Sequence, residues 1–139
     1  MQDPRSQYPV MDIPPQIQDE PGLDAKLQPK ADHGEATYRG ASRLKGRKAL
    51  ITGGDSGIGR AVAIAYAREG ADVAIVYLNE HPDAEAVKKD VEAHGRKCIL
   101  LPGNIREEEF CKKAVADTVK QLGGLDILVN NAATQTEQK

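Results

Sequence analysis

The sequence predicts an α/β fold of four parallel strands in the spatial order 3-2-1-4, with helices on both faces and an extended arm ahead of them. Three observations carry this reading. From Gly46 onward, short apolar runs alternate with stretches of helical periodicity. The resulting series of strand, helix, strand, helix, strand, helix, strand is what right-handed crossovers wind into a parallel sheet. The strand segments are nearly continuous in Ala, Val, Ile and Leu, as strands covered on both faces require.

The arm comes first and spans residues 1–46, ahead of an α/β segment at 47–139. It holds Pro4, Pro9, Pro14, Pro15, Pro21 and Pro29 and shows neither a period of 2 nor one of 3.6. Proline fixes φ and removes a donor, so regular structure is not expected there. Two readings stay open. Polar composition suits a disordered tail, whereas Tyr8, Val10, Ile13, Ile17 and Leu23 suit an arm docked along the domain or a neighbouring subunit.

Strand one is 48–52. The helix after it places Ile58, Ala61, Val62, Ala65 and Tyr66 on its inner stripe and stops at Gly70. Strand two is 71–77. Pro82 suits the first turn of the next helix, which lines up Ala84, Val87 and Val91 before Gly95 closes it. Strand three is 97–101. The acidic run Glu107, Glu108 and Glu109 favours a helix start, and that helix buries Phe110, Ala114, Val115 and Leu122 before Gly123 and Gly124. Strand four is 125–129.

Composition narrows the function. With 40% apolar and 29% charged residues over 139 positions, the chain has the make-up of a globular protein. A formal charge of -2 with interspersed signs gives no footprint for nucleic acid and no basic membrane patch. No apolar run approaches the roughly 20 residues of a membrane span, and the first ten residues lack the core of a secretory signal, so the expected location is cytoplasmic. Cys98 and Cys111 have no CxxC spacing and no nearby His at ligand spacing, so they read as free thiols and no metal site is expected.

The chemistry is concentrated between strand one and its helix, where the chain reads Thr52-Gly53-Gly54-Asp55-Ser56-Gly57-Ile58-Gly59. A loop that turns sharply, admits a pyrophosphate against the backbone and lets helix pack close to strand needs glycine for all three tasks. The helix N-terminus offers unpaired N–H groups to the anion, and Ser56 adds a hydroxyl. Strand before and helix after are the context such a motif demands. In a sheet wound 3-2-1-4, ligands sit at the carboxyl ends of strands one and four.

The spacing TGxxxGIG from Thr52 to Gly59, the LDILVNNA segment from Leu125 to Ala132, and Asn104-Ile105 after strand three resemble the short-chain dehydrogenase/reductase family. With the proline-rich arm, they are similar to a bacterial branch of general oxidoreductases in it. The resemblance covers Gly46 to about Ala133. It implies a partial Rossmann fold that binds NAD or NADP, and a complete enzyme that moves hydride between the cofactor and a small alcohol or carbonyl substrate, commonly as a homo-oligomer. By position, Gly53, Asp55, Ser56, Gly57, Ile58 and Gly59 would face the pyrophosphate and adjoining ribose. Tyr77 and Leu78 would close the adenosine side, Asn104 and Ile105 the adenine. Asn130, Asn131, Ala132 and Ala133 would run beside the nicotinamide ribose, with Asn130 also bridging the central strands. Asp126 would support the edge of the sheet or its loop.

An acidic group about 20 residues past the glycines selects NAD by accepting hydrogen bonds from the ribose 2′-OH. Here Tyr77 stands at that place. Nothing there repels a 2′-phosphate and no cation attracts one, while Asn79 and Glu80 are near enough to reach ribose hydroxyls, so both cofactors stay open. Catalysis in the family also implies a Tyr with a Lys four residues later, because a tyrosine of ordinary pKa, about 10, is a poor base. Tyr8, Tyr38, Tyr66 and Tyr77 are followed at that spacing by Asp12, Ser42, Gly70 and His81, so no catalytic residue is assigned. The chain thus reads as a cofactor-binding half, inactive alone, whose uncovered fourth strand invites association. A non-catalytic dinucleotide-sensing module and an inactive fragment are the alternatives.

Overall fold

The structure is a computed structural model that describes residues 3, 12–19 and 22–134. Strands β1 (Lys48–Thr52), β2 (Asp72–Tyr77), β3 (Cys98–Pro102) and β4 (Ile127–Val129) alternate with helices α1 (Gly57–Arg68), α2 (His81–Glu92) and α3 (Glu108–Leu122). The sheet order is β3-β2-β1-β4 and every pairing is parallel, as the alternation of elements requires. Register pairs Thr52 with Val76, Ile51 with Val129 and Tyr77 with Pro102, so all four strands release their chains at one edge.

Side chains of a strand alternate between faces, and here each face has its own core. Ala49, Ile51, Val73 and Ile75 face α1 and α2, meeting Ala63, Ala67, Val87 and Val91. Leu50, Ala74 and Val76 face α3, meeting Ala114 and Leu122. Ile51, Val73, Ile75, Val87 and Val91 are fully buried. Truncating a buried Ile to Ala costs about 2–5 kcal/mol, which makes these aliphatic layers the main support of the sheet.

The α2 stripe falls where expected, with Ala84, Val87 and Val91 buried. Two other helix faces differ from the sequence pattern. In α1 the buried line is Gly59, Ala63, Ile64 and Ala67, with Val62 and Tyr66 half-buried, and Ile58 is 76% exposed. The helix presses its Gly59 side against the end of β1, which rotates Ile58 off the sheet. In α3, Val115 is 41% exposed and Thr118 is fully buried. The Thr118 hydroxyl donates to the Ala114 carbonyl at 2.7 Å, so the polar residue is satisfied within the helix and its methyl joins the 114–118–122 row. Phe110 is half-buried against the same layer.

Asp126 supports the sheet as expected. Its carboxylate accepts from the Lys48 amide at 2.8 Å and from Arg47 at 3.1 Å, and its amide donates to the Lys48 carbonyl at 2.8 Å. β4 pairs with β1 alone among the described residues. No helix among them is long and apolar enough to cross a membrane.

The arm resolves into two parts. Ile13 and Ile17 are exposed, whereas Tyr8 and Val10 lie outside the described residues. From a 3₁₀ turn at Asp24–Lys26 onward the chain docks across α1 and α2. Its lower anchor is Glu69, at the end of α1 and 4% exposed. This one carboxylate accepts from the Tyr38 hydroxyl at 2.5 Å, the amides of Ala41 and Arg43 at 2.9 and 2.8 Å, and Arg43 Nε at 3.1 Å. Arg68 adds donations to the carbonyls of Glu35 and Tyr38.

The Tyr38 hydroxyl first, and then the Arg43 amide, hold the Glu69 carboxyl at about 2, below its ordinary 4.5. A depressed folded value means this anchor contributes fully above pH 4.5 and fades as pH falls toward 2. Urea unfolding across that range is therefore expected to show a loss of stability in the parent that Glu69→Gln lacks; parallel curves for the two proteins would contradict the assignment.

Candidate functional site

The site forms where β1 and β4 end side by side. Gly53 turns the chain at φ 63°, and the amides of Gly53 and Gly54 both donate to the Val76 carbonyl, at 2.7 and 3.3 Å. This ties the loop to the end of β2. Ser56, extended at φ -147° and ψ 170°, sets the start of α1 but places no side chain on its first amides. Among the described residues, no acceptor takes the amides of Gly57, Ile58 or Gly59. Three donors and the positive end of a helix dipole therefore open at the mouth of the sheet.

Two glycines make that arrangement possible. A Cβ on Gly59 would lie 1.9 Å from the Gly53 carbonyl oxygen and 2.7 Å from Asn131 Nδ2, so only glycine lets the helix approach the strand this closely. At Gly57 the reason is conformational. Its φ is 49°, a conformation that side chains rarely adopt, although a Cβ there would meet nothing within 4 Å.

The β4 side of the mouth is locked to the loop by Thr52 and Asn131. Thr52 Oγ1 accepts from the amides of Asn131 and Ala132, both at 3.0 Å. Asn131 Nδ2 donates to the carbonyls of Thr52 at 3.1 Å and Gly53 at 3.0 Å. The bridge between central strands therefore falls on Asn131 rather than Asn130, which is exposed. Side chains alternate as the chain leaves β4, and position 131 is the one turned toward β1. Thr52 was legible only as a residue of the motif. A threonine at one strand end, facing an Asn at the end of the adjacent strand 79 residues later, is a pattern that spacing alone does not reveal.

The other expected residues line the same edge. Tyr77 is 5% exposed and belongs to the sheet core, with its hydroxyl 2.9 Å from His81 Nδ1. Burial, and then the charges of Glu85 and Asp55, push its phenol pKa up, so the group stays a neutral hydroxyl. Leu78 is exposed beside it. The Asn104 side chain accepts from the Arg106 amide at 3.0 Å, fixing the turn into α3, and Ile105 is exposed. Asp55 is buried, and its carboxyl pKa is raised by that burial and then by the charges of Glu80 and Asp83. Ala132 and Ala133 are exposed past the Asn131 bridge.

A cavity of about 520 Å³ opens at the opposite edge of the sheet, lined by Tyr38, Lys45, Arg68, His94 and Arg96 among others. It is the wrong hollow for an anion held by amides. The carbonyl ends of α1 and α2 meet there, and the cations answer those negative dipole ends.

Residues 47–139 match the family model for short chain dehydrogenase. The chain belongs to the short-chain dehydrogenase family. It is 58% identical over 125 residues to General stress protein 39 of Bacillus subtilis, covering 89% of this chain and 44% of the relative. Among solved structures it is similar to a short chain dehydrogenase from Burkholderia cenocepacia in complex with NADP. There the identity is 45% and the TM-score 0.62, over 66% of this chain and 38% of that one. Carveol dehydrogenase from Mycobacterium avium in complex with NAD superposes with TM-score 0.65 at 31% identity, over 70% of this chain and 39% of that one. The chain thus spans less than half the length of these relatives.

Replacing Asn131 by Ala removes both donations across the strand ends and leaves two carbonyls short of a partner. Urea unfolding should show a loss of about 1–3 kcal/mol. An unchanged midpoint and slope would mean that Thr52 alone holds β1 and β4 together.

Proposed function

We propose that this chain forms the dinucleotide-binding part of an NAD(P)-dependent oxidoreductase whose complete form interconverts an alcohol and a carbonyl compound. The observation that carries the reading is the set of amides at Gly57, Ile58 and Gly59 that no protein acceptor claims among the described residues, at the exposed start of α1 on the carboxyl edge of a parallel sheet. Such a cradle fits a diphosphate, which is bound by backbone donors and a helix dipole without any cation. The nearby Arg60 is already engaged with carboxylates, so the amides remain the anion's partners.

The residues divide the cofactor between them. Gly53, Asp55, Ser56, Ile58 and Gly59 take the pyrophosphate and its adjoining ribose, Asp55 through its main chain because its carboxyl is buried. Leu78 closes the adenosine side by its exposed apolar face; Tyr77 contributes from beneath, by fixing the strand end on which Leu78 sits. Asn104 and Ile105 border the adenine. Asn130 to Ala133 run beside the nicotinamide ribose, held at a fixed distance from the loop by Asn131 and Thr52. When bound, the nicotinamide supplies or accepts the hydride; the chain's own residues bind and orient it. Solved structures similar to this chain include one in complex with NADP and one in complex with NAD, and the reading keeps both nucleotides. We place the complete enzyme in the cytoplasm, a setting in which thiols such as Cys98 and Cys111 stay reduced.

Fluorescence titration with NADH and NADPH tests this directly. At least one nucleotide should show enhanced emission on binding. Gly57→Asp, which sets a carboxylate beside the amides at the start of α1, should weaken that binding tenfold or more, a change of about 1.4 kcal/mol. Binding by neither nucleotide to the parent protein would end the proposal.

A further inference from the structure

The docked arm reaches the phosphate loop's own scaffold through Asp24. This residue sits on the 3₁₀ turn with its side chain 5% exposed. One carboxylate oxygen, Oδ2, lies 3.2 Å from Arg60 Nη1 and 2.9 Å from His33 Nε2, the latter within ion-pair range without meeting hydrogen-bond geometry. Arg60 directly follows Gly59 in the first turn of α1. Its other end, Nη2, lies 3.0 Å from Asp90 on α2 and 3.8 Å from Glu35 on the arm. The guanidinium, 15% exposed, thus joins the start of α1 to both the arm and α2.

The main chain of Asp24 makes a second connection. Its amide donates to Asp83 Oδ2 at 2.8 Å, and Asp83 is buried in the first turn of α2. That turn follows immediately on residues 78–80, the connection that leaves β2 at the site's edge. Neither helix start has a side-chain cap of its own, with Ser56 and Glu80 both idle in that role. Both starts are instead held from outside, by one residue of the arm.

We infer that Asp24 is a positioning residue, and that the arm braces the first turns of α1 and α2, the two elements that frame the glycine loop and the adenosine side of the mouth. The bracing is local. Asp24 is far in sequence from the loop, touches no part of the cradle, and acts by fixing the spacing between two helix starts through Arg60 and Asp83. Cutting the ionic arm of this connection leaves Arg60 with Asp90 and the longer contact to Glu35, so the two starts lose the one residue they share. The consequence for a dinucleotide rests on the oxidoreductase reading above; the mechanical coupling does not.

Amide hydrogen exchange on the protein carrying Asp24→Asn decides it. The substitution keeps the shape and the main-chain bond to Asp83 while removing the charge that meets Arg60 and His33. Exchange should rise about tenfold at the hydrogen-bonded amides 60–63 and 84–87, with α3 amides 112–118 unchanged, and Lys26→Ala on the same turn should alter neither group. A rise spread equally over α3 would show general destabilisation and overturn the bracing role, as would no rise at all. In parallel, affinity for NADPH or NADH should fall several-fold in Asp24→Asn; an unchanged affinity despite faster exchange would remove Asp24 from the site. If the parent binds neither nucleotide, the oxidoreductase reading fails, and the exchange pattern still confirms or refutes the brace.

Discussion

Everything at the carboxyl edge depends on one close approach, the contact of the α1 backbone at Gly59 with the carbonyl of Gly53. With no room for even a methyl group between them, helix and strand are set at a single distance, and the first-turn amides of α1 are thereby aimed out of the sheet. Asn131 joins β4 to the loop through the carbonyls of Thr52 and Gly53, so the loop and the last described segment share one set of hydrogen bonds, and the helix start packs against it at Gly59. A side chain on Gly59 would strike both the Gly53 carbonyl and the Asn131 amide seated on it. Binding geometry and strand pairing are therefore one constraint seen from two sides.

The fold was legible because its governing pattern is local. Apolar runs in 48–52 and 71–77 can only be covered strands, and the glycines at 53, 57, 59 and 123 mark where the backbone must turn or approach closely. The family resemblance at Thr52–Gly59 and 125–132 then located the site. Helix faces were less legible. Hydrophobicity ranks Val115 above Thr118, but a threonine that donates to its own helix behaves as an apolar residue on one side, and the packing row follows 114, 118 and 122. For Ile58 the pattern named the correct residue and the wrong environment, because the rotation of α1 is set by Gly59 against β1.

Long-range polar partners were the least legible features. No spacing rule links Asp24 to Arg60 and Asp83, or Glu69 to Tyr38 and Arg43, because the arm's path is set by tertiary contact and its prolines exclude a periodic signal. The same holds for Asn131. The doublet Asn130-Asn131 announces a polar strand end, and only the direction in which each side chain leaves β4 decides which of the two reaches Thr52.

The two edges of the sheet use one physical principle with opposite sign. At the carboxyl edge, α1 and α2 begin, their amides point outward, and the cation close by, Arg60, is held by Asp24, Asp90 and Glu35. At the other edge the helices end, carbonyls point outward, and Arg68 and Arg96 gather around them, with His94 accepting from Arg68. Arg68 donates to carbonyls and to His94, with no carboxylate partner among the described residues. Cations thus gather at the helix C-termini of α1 and α2, where the dipole favours them, and the one beside the glycine loop, Arg60, is paired with acids. Among the described residues, the unclaimed amides that open α1 therefore meet an anion at the carboxyl edge. The arm contributes to both ends of this division, supplying Asp24 and Glu35 to Arg60 at one edge and carbonyls to Arg68 at the other.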